Sequence, residues 1–399
     1  MKTKLPEGWQ DVELGNSNYF KILPSGIDKF EGDKDYLSTE SIQGTNIKKV
    51  ECKITYEERP SRANMQPVLN SIWFAKMKST LKVYSFDEDN KNEIKKFILS
   101  TGFMGIKVNE NKVYPKYLKF FFLSKLFNKE KDKLSTGSTQ MGINNDFIRK
   151  IKLLIPSLPA QEKIIQILEK AEKLKQNRED ADKLTKDYLR SVFYEMFGDP
   201  IKNNKKWNKK TLSSFGEIKT GNTPSRLKKE YYGDYIDWIK SDNLNTPYMF
   251  ITSAQEKLSK EGLKVGRIVP KGSILVTCIA GSVSCIGNCA VTNKEVSFNQ
   301  QINAIVPNKK TNTLFIYFLI NISKKYIQSF SQKALKGIVS KRVFENISFI
   351  SPPLPLQQKF AKIVEQVETL KEKQQKSKEK IDEMLNSLMQ RAFNGELVK

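Results

Sequence analysis

Two long stretches of the chain repeat in steps of three and four. Ile164, Ile167, Ala171, Leu174, Arg178, Ala181, Thr185, Tyr188 and Val192 fall on one line, and Phe360, Ile363, Val367, Leu370, Gln374, Ser377, Ile381, Met384 and Leu388 lie 196 residues further on. A period near 3.5 predicts two helices meeting along a coiled-coil seam. On one side the seam carries Ile164, Ile167, Leu174 and Tyr188, and on the other Phe360, Ile363, Leu370, Ile381, Met384 and Leu388. Two copies in one chain supply each other's partner, and a pseudo-two-fold makes the pairing antiparallel. The weak central layers, Arg178/Ala181 near Gln374/Ser377, then fix register at a cost in stability. From Gln161 to Met196 such a rod spans roughly 50 Å.

What precedes each helix is also duplicated. Pro156-Ser157-Leu158-Pro159-Ala160-Gln161-Glu162-Lys163 returns as Pro352-Pro353-Leu354-Pro355-Leu356-Gln357-Gln358-Lys359. A repeat this long indicates a duplicated domain, not a solenoid. The first copy holds strand-like runs at 50–56 and 82–86 and a helix at 115–127 with Pro at its start; the second holds a strand at 301–307 and a helix at 314–326. Before its closing strand each copy has a Gly-Ile pair, Gly142-Ile143 or Gly337-Ile338, then an aromatic, Phe147 or Phe344. Mixed α/β units result, and 399 residues fit two of them plus connectors.

Charge then narrows the partners. Lys and Arg number 68 against 44 acidic residues, a net charge of +24, which attracts polyanions. The expected partner is nucleic acid and not membrane, since no apolar run of about 18 residues occurs and Met1-Lys2-Thr3-Lys4 leads into no signal-peptide core. Cys52, Cys278, Cys285 and Cys289 lack zinc or disulfide spacing, and the last three, in an apolar small-residue stretch, read as buried strand thiols in a reducing cytoplasm. Histidine is absent, which excludes His-based hydrolysis and His-metal centres.

No catalytic motif stands out. There is no phosphate-binding Gly-x-x-x-x-Gly-Lys-Ser/Thr loop, no dinucleotide fingerprint and no Asn-Pro-Pro-aromatic methyltransferase tetrapeptide. Glu93-Ile94-Lys95 and Glu217-Ile218-Lys219 resemble nuclease triplets but read as surface pairs in a Lys-rich chain. Lysines 202, 205, 206, 209 and 210 read as a solvated linker. Basic and polar residues gather in loops instead: Arg59, Arg62, Asn64, Lys76, Lys78, Ser138 and Gln140 in the first copy, and Lys219, Thr223, Ser225, Arg226, Lys228, Lys229, Tyr231 and Lys336 in the second. Cations and hydroxyls suit phosphates, while Arg, Asn and Gln suit base edges. A self-contained nuclease or methyltransferase, or a scaffold with incidental charge, are the other readings of the same residues.

With these motifs in order, the chain resembles the specificity (S) subunits of type I restriction-modification systems. The resemblance rests on the two Leu-Pro-x-Gln helix entries, with Ser157 standing where the second copy has Pro353, and on the helix exits Tyr194-Glu195-Met196-Phe197-Gly198-Asp199-Pro200 and Ala392-Phe393-Asn394-Gly395-Glu396-Leu397. Pro6-Glu7-Gly8-Trp9, Trp207, Gly221-Asn222-Thr223-Pro224-Ser225, Gly137-Ser138-Thr139-Gln140 and Phe298-Asn299-Gln300-Gln301 add to it. It implies an α+β protein with target recognition domains at 1–155 and 199–351 and conserved spacer helices at 156–198 and 352–399. Each domain would read half of a split DNA site. The partners implied are two methyltransferase (M) subunits and restriction/translocase (R) subunits; S-adenosylmethionine, ATP and Mg²⁺ would reside on them, and this chain would hold no cofactor.

Overall fold

Both long helices form, as Leu158–Phe197 and Leu354–Phe393. The computed structural model describes residues 6–137, 141–331 and 337–398, with Lys186 by its backbone alone. The chain divides into two units, Met1–Glu179 with Gln375–Lys399 and Asp180–Gln374, so each unit takes part of both helices.

The first unit is closed by its own ends, strand Gln10–Glu13 pairing antiparallel with Lys152–Ile155. A four-stranded antiparallel sheet runs in the order Phe20–Ile22, Phe103–Val108, Ser71–Ala75, Val83–Phe86. Phe74, Ile106, Tyr117, Phe121 and Phe127 join Ile164 and Leu168 of the first long helix and Phe393 of the second in one buried core. A second sheet runs Cys52–Ile54, Lys34–Leu37, Phe97–Ser100, Ala63–Met65, its central pair parallel.

The second unit repeats this plan. Lys209–Thr211 pairs with Ser348–Ile350; the antiparallel sheet is Gly216–Thr220, Ile302–Pro307, Ile274–Thr277, Cys289–Val291; the mixed sheet is Lys257–Leu258, Tyr232–Ile239, Val296–Phe298, Ile268–Val269. Its largest core unites Phe315, Ile316 and Phe349 with Leu189, Phe193 and Phe197 of one long helix and Phe360 and Val364 of the other.

The repeated motifs acquire structural roles. Gln161 is fully buried: its Oε1 accepts from the Tyr114 N–H at 3.0 Å, and its Nε2 donates to Lys112 O at 2.8 Å and Pro156 O at 2.9 Å. Gln357 accepts from the Asn312 N–H at 3.0 Å and donates to Pro352 O at 2.8 Å. Both glutamines therefore pin the start of a long helix to the N-terminus of a shorter one, Pro115–Leu123 or Thr313–Ile322. The exits match too. Gly198 and Gly395 adopt φ of 76° and 77°, the left-handed conformation that ends a helix without a Cβ penalty. Trp207 Nε1 donates to Phe197 O at 2.9 Å, and Gly395 packs beside Pro6 and Trp9 in the first unit.

Several expectations need correction. The helices at 115–127 and 314–326 are each two, Pro115–Leu123 then Lys125–Lys133, and Thr313–Ile322 then Lys324–Ser329. Ser124 turns to extended backbone and its hydroxyl caps the Phe127 N–H at 3.1 Å, a break invisible in a continuous apolar run. The closing segments match one residue away from the Gly-Ile alignment. Ile143 N donates to Lys76 O and Val339 N to Cys278 O; Ile143 and Val339 are buried while Ile338 is exposed. Ile148 and Phe344, not Phe147 and Phe344, then fill equivalent buried places. The linker lysines 202, 205, 206, 209 and 210 are exposed, as a solvated linker requires, although Lys205 Nζ also donates to the Glu195 and Met196 carbonyls at the exit of the first long helix and Lys209 and Lys210 lie in a strand.

The seam is also phased differently. Ile164 and Phe360 are buried, and Ile167, Ile363, Ile381 and Leu388 are half-buried. Leu174, Tyr188, Leu370 and Met384 are 50%, 52%, 47% and 39% exposed. The buried line runs Ile164, Leu168, Ala171, Thr185, Leu189, Val192, and its repeat Phe360, Val364, Val367, Leu385. The step after Ile164 is four, because each helix packs on its unit's core as well as on the other helix, which calls for a wide stripe and not a narrow seam. In the second unit Phe197 meets Phe360 at 5.5 Å and Thr185 hydrogen-bonds Gln374, so the helices run antiparallel there. In the first unit Lys175 pairs with Asp382 at 2.8 Å. Polar mid-helix layers thus exist, made by these residues.

Candidate nucleic-acid interface

In the first unit the strand Ala63–Met65 is preceded by a turn, Ala63 N donating to Pro60 O, that carries Arg59 and Arg62. Arg59 folds back on Tyr56, its guanidinium 4.0 Å from the ring centroid and donating to Tyr56 O. Tyr56 stands edge-on to Phe30 at 5.8 Å, and Lys34 lies 4.6 Å from the Phe30 ring. Asn64 is half-buried and its carbonyl accepts from Gly26 N.

Arg62 faces Lys76. Burial first, and the Arg62 charge second, hold the Lys76 ammonium below the usual lysine range. Lys76 and exposed Lys78 sit on a segment tied to the polar glycine loop: Ile143 N donates to Lys76 O, Lys78 N to Met141 O, and Thr136 pairs with Gly142. The turn between Lys76 and Lys82 rests on Lys131, 1% exposed, whose ammonium donates to Met77 O at 3.2 Å and Thr80 O at 2.6 Å. Arg62, Lys76, Lys78 and the flanks of the 136–142 loop are thereby brought together. Ser138 and Gln140 lie outside the described residues.

In the second unit Lys219, at the end of a strand, pairs with Glu217 at 3.5 Å, and the basic loop follows. Gly221 opens it because a Cβ there would come within 2.2 Å of Asn299 O. Asn222 anchors it three ways: Nδ2 donates to Val265 O at 2.8 Å, Oδ1 accepts from Arg267 N at 2.9 Å, and its carbonyl accepts from Trp238 Nε1 at 3.2 Å. Thr223 hydrogen-bonds Gln300, and Tyr232 OH donates to Pro224 O at 2.7 Å.

Thr223, Ser225, Arg226, Lys228 and Lys229 are exposed on this anchored loop, and Tyr231 is half-buried with its hydroxyl 3.2 Å from Lys228 Nζ. Arg226 Nη1 donates to Glu256 Oε2 at 2.6 Å, and its guanidinium lies 4.5 Å from the Tyr232 ring and 5.0 Å from Trp238. Lys240 pairs with the other Glu256 oxygen and lies 5.2 Å from Trp238. The Arg226 hydrogen bond, then that of Lys240, holds the Glu256 carboxyl below the usual range. Lys336 lies outside the described residues.

Glu256, Trp238, Lys240 and Arg267 escaped the sequence reading, and Gln300 entered it only within a family motif. Trp238 and Lys240 carried a signal, two apart and so on one face of an extended strand; Glu256, 30 residues from Arg226, carried none. Glu93 of the first nuclease-like triplet accepts from Tyr84 OH at 2.6 Å, and Glu217 of the second pairs with Lys219. Among the described residues no group of three acidic, Cys or His side chains is placed to hold a metal, and no helix is long and apolar enough to cross a membrane. Burial pushes the Cys278 and Cys289 thiols up to about 12.

Two copies of one mixed α/β unit, each with a cation-and-aromatic face held on a hydrogen-bonded frame, define a class of protein built by duplication. The chain belongs to the type I restriction modification DNA specificity domain family, whose model matches residues 6–183 and again 204–383. The type I restriction enzyme HindI specificity subunit of Haemophilus influenzae is 29% identical over 48% of this chain and 42% of its own length. The MjaIX specificity subunit of Methanocaldococcus jannaschii is 30% identical over 47% of this chain and 44% of its own. These matches thus span under half of those relatives. A chain solved in work on complex assembly and conformational transition of the type I R-M system shares the fold, with a TM-score of 0.68 at 19% identity over 99% of this chain and 100% of that one.

Proposed function

We propose that the chain is the non-catalytic DNA-specificity subunit of a type I restriction-modification complex acting in the cytoplasm. Each unit reads one half of a split double-stranded site, and the long helices serve as spacer and as docking surface for two methyltransferase subunits, which restriction/translocase subunits join. S-adenosylmethionine, ATP and Mg²⁺ are carried by those partners.

The observation that carries this reading is a contrast within the duplicate. The frames coincide, down to Gln161 and Gln357, while the basic faces differ, with Arg59, Arg62, Lys76 and Lys78 in one and Arg226, Lys228, Lys229 and Lys240 in the other. A net charge of +24 supplies affinity for phosphates, and differing faces suit two different half-sites. Docking is supported by the exposed apolar residues of the helices. Leu174 and Met384 belong to the first unit and Tyr188 and Leu370 to the second, at equivalent positions of the repeat, so each unit carries one patch for one copy of the same partner.

Sequencing methylated sites made by the chain with its methyltransferase subunits should return two half-sites with a fixed gap. Arg59→Ala with Arg62→Ala should degrade one half, and Arg226→Ala with Lys228→Ala the other. A continuous site, or DNA cutting or methylation by the pure chain alone, would overturn the reading.

A further inference from the structure

We infer that Arg226 reads a guanine in the major groove and that Glu256 is the residue that positions it. The inference rests on the DNA-reading role proposed above and goes further by assigning a base type and a residue pair.

The guanidinium is held on three sides. Glu256 takes one Nη1 hydrogen at 2.6 Å, and the rings of Tyr232 and Trp238, themselves at 74° to each other, flank it at 4.5 and 5.0 Å. Glu256 is fixed in turn by Lys240. A side chain rich in rotamers is thus ordered before any ligand arrives. Its side chain nevertheless remains 53% exposed, and the Glu256 bond uses Nη1 and not the donors on Nη2 and Nε.

This arrangement suits a base edge better than a phosphate. A phosphate needs positive charge without strict direction, and Lys228 and Lys229 next to Arg226 supply it. The Glu256 carboxylate cancels much of the local charge and repels a phosphate, while fixing the plane of the fork. In the major groove guanine alone offers two adjacent acceptors, N7 and O6, which match two parallel N–H donors.

The test is selection of duplexes from a randomised DNA pool by the full chain with its methyltransferase subunits, comparing wild type with Arg226→Lys, Glu256→Gln and Lys228→Ala. Arg226→Lys keeps the charge and should reduce preference for one guanine in one half-site roughly 10- to 100-fold. Glu256→Gln should soften that same position. Arg226→Lys should leave the salt dependence of binding unchanged, whereas Lys228→Ala should lower its log–log slope by about one. An unchanged motif with Arg226→Lys, or loss spread evenly over all positions with Glu256→Gln, overturns the inference and leaves the two-domain reading standing. A wild-type half-site without guanine does the same. A wild type that selects no split motif overturns the parent reading.

Discussion

The two units solve one buried problem with the same residue and another with different ones. At the start of each long helix a glutamine serves both a backbone N–H and a carbonyl, in Gln161 and Gln357 alike. Beneath the loop that follows the central strand, the first unit uses the ammonium of Lys131 to satisfy Met77 O and Thr80 O. The second unit uses the amide of Gln328, which donates to Ser284 O at 3.4 Å and Ile286 O at 3.0 Å. Where a group must both donate and accept, the side chain is kept; where only donors are required, lysine and glutamine are interchangeable. On the surface no such constraint acts, and the cation–aromatic clusters diverge: Arg59 turns to a backbone carbonyl, Arg226 to a carboxylate.

The glutamine comparison breaks most visibly with leucine. Gln161→Leu strands three polar partners and Gln357→Leu two, each worth about 1–3 kcal/mol when left buried and unpaired. Urea unfolding should therefore show a loss of about 3 kcal/mol or more for the first and roughly a third less for the second. Equal losses would mean that packing, not the number of hydrogen bonds, sets the cost.

Lys131 gives the next largest effect. Lys131→Ala should cost about 1–3 kcal/mol, while Lys131→Gln, which imports the second unit's solution, should cost under about 1. A pH signature separates the wild type from either variant. Burial holds the Lys131 ammonium below the usual lysine range, with the Asp132 charge opposing. Between that lowered value and the unfolded value of about 10.4 the unfolded chain binds more protons, so the wild type gains stability as pH rises through that window. Lys131→Gln should lack this gain relative to wild type when denaturation midpoints are compared across alkaline pH.

Much of this frame was legible and the rest had physical reasons to be hidden. The duplicated Leu-Pro-x-Gln segments and the 3.5 period located both helices, because helix-start signals and periodicity are local. Local signals do not choose between neighbouring apolar residues, and the chain has Ile167 beside Leu168, Tyr188 beside Leu189 and Met384 beside Leu385. Burial settles the choice only once the helix lies on its unit's core. Glu256 was hidden for a different reason: its partner lies a whole strand and loop away.

The smallest predicted effect tests that phase choice and the role of what it leaves outside. Leu174 and Leu370 occupy the same place in the repeat, 50% and 47% exposed. If the buried line runs through Leu168 and Val364, Leu174→Ser and Leu370→Ser remove no core packing, and each should shift unfolding by under about 0.5 kcal/mol. Had the narrow seam been right, each would cost about 2 kcal/mol or more, as large-to-small changes in a core do. On the proposed docking role of the helices, the same substitutions should weaken capture of methyltransferase subunits in a pull-down at unchanged stability. Loss of one copy per substituted unit, instead of both together, would show that the two patches bind independently.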